Sequence, residues 1–371
     1  MATTDVNIRT VTLMEAESRL VRAFRLKRPV FLWGAPGVGK SELAKQIADK
    51  KYLGNTLLID LRVALFEPTD IRGMPFFNSD SGLMEWAPPI DLPTKDLAAK
   101  YDAVILFLDE MNAAAPAVQA ACYQLILNRR VGTYKLPDNV VIMAAGNRET
   151  DKGVTYRMPS PLANRFIHLE VRVDFDSWFN WAVDNKIHED VIGYISFAKQ
   201  DLFNFDPRSS GRSFATPRSW TTVSEFCYDE DITDGELTDL TSGTIGEGTA
   251  IKFIAHRKVS ADMPKPSDIL AGNVKELKIK EISAQYALTI GMCYELKEAY
   301  DKFGKKDTKK WHKLADNFFR FMMDFFPTEM TVMGARTAIT NYNLPFDPNK
   351  LENFKEFFDR FGKYVVKAME A

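Results

Sequence analysis

Val30-Phe31-Leu32-Trp33-Gly34-Ala35-Pro36-Gly37-Val38-Gly39-Lys40-Ser41 is the stretch from which the rest of the chain can be read. Four apolar residues of strand length run into Gly34–Ser41, which fits the pattern G-x-x-x-x-G-K-[ST] at every fixed position. A helical pattern follows, with Leu43 and Ile47 on one face. A strand, a glycine-rich loop and a helix start in that order make an anion cradle. The glycines let successive backbone N–H groups converge, and the helix N-terminus adds its positive end. Gly34, Ala35, Pro36, Gly37, Val38, Gly39, Lys40 and Ser41 are therefore expected to hold the phosphates of a nucleotide. Lys40 would reach the β- and γ-phosphates, and the Ser41 hydroxyl would ligate Mg2+. An ordinary glycine-rich turn needs neither the strand before it nor the lysine and hydroxyl after it.

Outward from that loop, the first 175 residues alternate strand-like and helix-like segments. Val30–Trp33, Leu57–Leu61, Val104–Leu108, Val140–Ala145 and Phe166–Val171 are short apolar runs, separated by helical patterns such as Glu42–Lys51 and Ala117–Leu127. Apolar strands alternating with helices predict an α/β fold, an αβα sandwich on a five-stranded parallel sheet. Beyond residue 175 the strand signal stops. Asp176–Asn185, Val191–Phe203 and Pro217–Phe226 read as helices, the last opened by Thr216 as N-cap and Pro217 at the first helical position. Tyr228–Glu236 reads as a solvated acidic loop, and a helix is expected over about 245–258. Pro264-Lys265-Pro266 then marks a boundary. The expected division is a nucleotide-binding domain over 1–175, a helical domain over 176–263 and a helical C-terminal extension over 264–371. In the last segment Phe354, Phe357, Phe358, Phe361, Tyr364 and Val365 fall at helix-face spacing, expected to be core.

Composition narrows the functional classes. The 371 residues are 46% hydrophobic and 26% charged, with 48 basic against 50 acidic side chains and a formal charge of −2. That balance argues against a protein held to nucleic acid by bulk electrostatics. Cys122, Cys227 and Cys293 are too few and too scattered for a disulfide framework, and are expected to be buried and reduced. No apolar run is long enough to cross a membrane, and Met1–Arg9 lacks the apolar core of a signal peptide, so a cytoplasmic protein with no membrane contact is expected.

More residues join the phosphate loop. Val104–Leu108 ends in Asp109-Glu110, two carboxylates at the end of a buried strand, costly unless used. Beside a phosphate loop, Asp109 would hold Mg2+ and Glu110 would orient and polarise the attacking water. The next strand ends in Gly146-Asn147-Arg148, where the neutral Asn147 amide could hold that water. Arg165, just before Phe166–Val171, would lie too far round the sheet for its own nucleotide and suits a neighbour's γ-phosphate, with Arg157 and Arg148 as competitors. Arg218, in the first turn after Thr216-Pro217, could close over the phosphates from the second domain.

Taken in order and spacing, these elements resemble the AAA+ ATPases and, within them, the MoxR-like branch. The phosphate loop, Asp109-Glu110, Asn147, Ala163-Asn164-Arg165-Phe166 and Ala215-Thr216-Pro217-Arg218 resemble that family's Walker A, Walker B, sensor 1, arginine finger and sensor 2. Asp70–Pro75 and Trp86–Pro89 are also similar to stretches in these proteins. Between them Phe76–Glu85 reads as a hairpin with turn residues Asn78–Gly82, at the place of an insert that in the family projects toward a central pore. Arg130–Asn139 reads as a second short hairpin. The resemblance covers about 10–275 and implies a helical lid and a self-assembled hexameric ring with ATP and Mg2+ between subunits. It further implies a remodelling or chaperone-like role, and a partner with a von Willebrand factor A-type domain.

A nucleic-acid motor or loader, or the NTPase subunit of a restriction-type complex, uses the same core. Its support is the run from Lys302 to Lys313, where Lys305, Lys306, Lys309, Lys310 and Lys313 flank Trp311. A scaffold that binds nucleotide without hydrolysing it would have no need of Glu110.

Overall fold

Alternate residues of the central strands point into two different cores, which is why those strands read as apolar throughout. In the computed structural model Val30, Leu32, Ile105, Phe107, Val141 and Met143 face one side, packed with Leu20, Phe24, Leu43 and Ile47. Phe31, Val104, Leu106, Leu108, Ile142 and Ala144 face the other, packed with Val118, Cys122 and Leu125. A sheet buried on both faces has no place for polar alternation. The structure describes residues 9–151, 156–209, 211–261, 263–277, 281–304 and 306–369.

The chain divides into two compact units, Met1–Asp174 with Phe205–Ser209 and Phe175–Asn204 with Ser210–Ala371. The first opens with β1 (Thr10–Val11), α1 (Leu13–Arg25), β2 (Val30–Trp33), α2 (Lys40–Asp49) and β3 (Thr56–Arg62). Next come α3 (Pro68–Arg72), the hairpin β4 (Met74–Asn78) and β5 (Leu83–Ala87), α4 (Lys95–Ala98) and β6 (Ala103–Asp109). It closes with α5 (Pro116–Asn128), β7 (Arg130–Val131), β8 (Tyr134–Lys135), β9 (Val140–Gly146), α6 (Ser160–Ala163) and β10 (Ile167–Val171).

Six strands form one parallel sheet in the order β1-β10-β2-β9-β6-β3. All five expected strands are in it. The expected count is corrected by β1, whose Thr10 and Val11 pair with Glu170 and Val171 and cover the edge of β10. Two residues are too few to show a period. Parallel strands place all their C-terminal ends along one edge, so Trp33, Asp109 and Gly146 emerge together.

The expected hairpin is longer than 76–85, with Met74 opposite Ala87 and Asn78 opposite Leu83. The Arg72 guanidinium lies 4.9 Å from the centroid of Trp86, and the Thr133 hydroxyl donates to Trp86 O at 3.2 Å, so the short β7–β8 hairpin braces its base. Beyond that base, Phe77, Leu83 and Met84 are each about two-thirds exposed.

The second unit is helical in its described residues. It contains α7 (Phe175–Asp184), α8 (Glu189–Phe197), α9 (Pro217–Cys227), α10 (Asp234–Ile245) and α11 (Glu247–Ala261). These are followed by α12 (Pro266–Ala271), α13 (Ile282–Phe303), α14 (Thr308–Phe325), α15 (Thr328–Arg336) and α16 (Glu352–Met369). Helix α8 ends at Phe197 with a short 3-10 turn after it, so the expected helix to Phe203 is two elements. The acidic loop is also corrected. Helix α10 starts at Asp234, where Thr233 and Glu236 cap each other's backbone N–H groups reciprocally. Charge density hid that capping signal.

Tyr194, Trp220 and Phe253 form one aromatic core, in which the Tyr194 hydroxyl donates to Asp201 at 2.5 Å. Phe319 gathers Phe346, Phe354 and Phe357 into another. Of the C-terminal stripe, Phe354 and Phe357 are buried, whereas Phe358 and Tyr364 are exposed, and the Val365 side chain lies outside those described. Trp311 is buried against Tyr300 and Phe346 and has no face to offer a base; Lys305 lies outside the described residues. All three cysteines are buried and unpaired, and burial pushes the Cys122 and Cys227 thiols up to about 12. Among the described residues no helix is long and apolar enough to cross a membrane.

Candidate nucleotide-binding site

The loop between β2 and α2 turns on two glycines in the left-handed region, Gly37 at φ 74° and Gly39 at φ 101°. Gly39 is also the N-cap of α2, a conformation in which any side chain would be strained. Gly34 packs where a Cβ would come within 3.2 Å of Val171 O and Val38 Cγ2. The loop is thus bare backbone wrapped around the start of a helix.

Lys40 is only 9% exposed and lies folded over its own loop. Its ammonium donates to Gly34 O at 2.7 Å, Ala35 O at 3.0 Å and Asn147 Oδ1 at 3.1 Å. The Ser41 hydroxyl donates to Asp109 Oδ2 at 2.8 Å, and the other carboxylate oxygen accepts the Glu110 N–H at 2.9 Å. Lys40 and Ser41 are therefore joined to Asn147 and Asp109, at the ends of two other strands, by two hydrogen bonds at the C-terminal edge of the sheet. A hydroxyl and a carboxylate already in contact are the hard oxygen donors that Mg2+ prefers, so the residues present fit such an ion.

Glu110 leaves β6 in the left-handed region at φ 54°, unusual for a side chain of its size and a form of strain that gathers at working sites. Its carboxylate is exposed rather than tied into these contacts. Asn147 is held from beneath by a residue that sequence reading passed over. Asn112 is 2% exposed, and its amide donates to Asn147 O at 2.7 Å. Its Oδ1 packs on Gly146, where any Cβ would overlap it. A buried asparagine just after an acidic pair was the available signal, weak because its partner is 35 residues away.

The arginines separate. Arg148 is bound within its own unit to Asp151 at 3.1 Å and Glu170 at 3.4 Å. Arg157 and Arg165 are exposed, and among the described residues neither has an ion pair. Ile167 pairs with Val30 and Glu170 with Trp33. Arg165 therefore precedes β10 at the opposite edge of the sheet from the phosphate loop, more than about 10 Å away at the rise of a strand. Arg218 is exposed in the first turn of α9, in the second unit. A cavity of about 450 Å3, walled in part by Glu189, Asp190, Arg257 and Lys265, lies wholly within that second unit.

A parallel sheet with this loop after β2, a Ser–Asp contact beneath it and a Lys–Asn contact beside it defines a phosphate-loop nucleoside-triphosphatase domain. Residues 29–168 match the model of the ATPase family associated with various cellular activities (AAA). Midasin of Giardia intestinalis is 29% identical over 193 residues, which is 50% of this chain and 4% of that protein. Midasin of Dictyostelium discoideum is 26% identical over 170 residues, 43% of this chain and 3% of that protein. This chain thus spans a small fraction of the curated relatives it matches. Among solved structures, a putative ATPase from Cytophaga hutchinsonii aligns over 94% of this chain and 80% of its own, at 13% identity and a TM-score of 0.34.

Proposed function

We propose that this chain is a MoxR-like AAA+ ATPase that hydrolyses ATP to ADP and phosphate in a self-assembled ring, a hexamer by resemblance, and remodels protein complexes in the cytoplasm. One observation supports the chemistry above all. Lys40 and Ser41 of the phosphate loop already contact Asn147 and Asp109 at the ends of two neighbouring strands. On this reading Gly34–Ser41 bind the phosphates, while Ser41 and Asp109 hold Mg2+, which when bound neutralises charge on the β- and γ-phosphates. Lys40 turns its ammonium from Gly34 O and Ala35 O to the phosphate oxygens. Glu110, exposed at the mouth, orients the water and takes its proton, and Asn147 fixes that water without adding charge. Arg165 serves the pocket of the adjacent protomer, because it stands at the far edge of its own sheet, exposed and without an ion pair among the described residues. Arg218 is assigned to the nucleotide by resemblance alone, with 176–263 as a lid and 264–371 as an extension.

The remodelling role draws on the β4–β5 hairpin. Phe77, Leu83 and Met84 are held out on a braced ribbon, suited to gripping polypeptide rather than nucleic acid. Buried Trp311 leaves the basic run without its stacking platform. A partner with a von Willebrand factor A-type domain follows from the resemblance. Phosphate release with Mg2+ and ATP tests the chemistry. Glu110→Gln should keep nucleotide affinity and ring assembly while turnover falls by about 100-fold or more. Normal turnover in that variant would remove Glu110 from the reaction.

A further inference from the structure

Trp33 ends β2 and directly precedes Gly34, and its indole Nε1–H donates to His168 Nδ1 at 2.9 Å. An indole N–H can only donate, so Nδ1 must be bare, and the neutral ring carries its proton on Nε2. That nitrogen lies 2.8 Å from Ala163 O, the carbonyl of the last residue of α6, two residues before Arg165. Phe31 and Phe166 pack beside the pair, with Phe31 4.3 Å from Trp33 and Phe166 6.3 Å from His168 between ring centroids. The two hydrogen bonds therefore run across one face of β2 and β10, from the edge that bears the phosphate loop to the edge that bears Arg165.

We propose that Trp33 and His168 are positioning residues, a hydrogen-bonded strut that ties the entry of this protomer's phosphate loop to the turn presenting Arg165 to its neighbour. The proposal rests on the reading of Arg165 as a cation acting in trans. Its physical basis is the position of Lys40. The ammonium donates to Gly34 O at 2.7 Å. Moving it to a phosphate frees the carbonyl next to Trp33, so the strut carries a change at one pocket to the arginine that serves the next. Rigid strand ladders alone do not fix Arg165, because it lies outside the sheet, in the turn between α6 and β10.

The test compares Trp33→Phe, His168→Leu, His168→Gln and Arg165→Ala in the full chain. The measurements are steady-state hydrolysis, affinity for a fluorescent ADP analogue, and ring mass by light scattering. Trp33→Phe keeps the ring stack but loses the donor, and His168→Leu loses both bonds. Each should lower kcat about tenfold, as a small misplacement of a reacting group does, with KM, analogue affinity and ring mass unchanged. His168→Gln keeps one acceptor and one donor and should recover most of the rate. Trp33→Phe combined with His168→Leu should be no worse than the worse single variant. Full kcat in both singles beside an inactive Arg165→Ala overturns the strut alone. Lost analogue affinity or ring mass overturns it as well, since the damage is then to the loop or the assembly. A fully active Arg165→Ala overturns the reading of the arginine, and the strut with it.

Discussion

At the scale of single residues, the site depends on how little room surrounds Asn147. Gly146 is fully buried between Asn112 Oδ1 and the Phe31 ring, and its backbone conformation is ordinary, so only space excludes a side chain there. Gly146→Ala should therefore cost about 2 kcal/mol of stability through overpacking, readable as a lower midpoint in urea. It should also lower turnover, because the nearest atom to give way is on Asn112, whose amide holds Asn147 O. Adding Asn112→Ala should recover part of the stability, since it removes the overlapping atom, but not the turnover. If the double variant is less stable than the sum of the singles, the overlap is not the cause. Residues of this kind show where sequence reading stops. Lys40, Ser41, Asp109 and Asn147 were legible because each ends a strand or starts a helix with a local pattern. Asn112, Trp33 and His168 were not, because their meaning lies in contacts to partners far along the chain, 135 residues away in the case of Trp33 and His168.

At the scale of elements, the same distinction explains which segments could be read. The core strands announce themselves because both faces are apolar, and the β4–β5 hairpin because Asn78–Gly82 is turn chemistry between two short runs. Strand β1 escapes notice because its two residues gain their structure from Glu170 and Val171. Helix α10 escapes because its first turn is acidic, although Thr233 and Glu236 make it a capped start. The hairpin itself is a lever with one braced end. Trp86 packs on Arg72 and beside Gly132 and accepts the Thr133 hydroxyl at its carbonyl, whereas Phe77, Leu83 and Met84 toward the tip are exposed. Trp86→Ala should loosen this brace and speed amide exchange across Met74–Ala87, with the phosphate loop and nucleotide affinity unchanged. Remodelling of a protein substrate should then fall more than ATP turnover. Unchanged exchange in the hairpin would show that Trp86 does not hold it.

For the molecule as a whole, pH sensitivity is expected to centre on the helical unit. Glu189 lines the cavity there, and burial, reinforced by Asp190 and Glu295, pushes its carboxyl up to about 7. Burial also pushes His256 down to about 4, against a smaller opposing pull from Asp190. The two act in opposite directions. A raised folded-state pKa means that Glu189 penalises folding once ionised, so its share of stability is intact below about 4.5 and is lost as pH rises to about 7. A lowered one means that His256 stays neutral in the fold while the unfolded chain takes a proton, so stability is lost as pH falls from about 6.5 to 4. Across the overlap the two slopes partly cancel, and the wild-type unit should show a shallow pH dependence. Glu189→Gln removes the first slope and exposes the second. Relative to wild type, the variant should gain up to about 3 kcal/mol between pH 4.5 and 8. Its own stability should climb from pH 4 to 6.5 and then level off. Thermal melts of both proteins over that range decide the matter. A difference that does not change with pH would mean that Glu189 is hydrated as freely in the fold as in the unfolded chain.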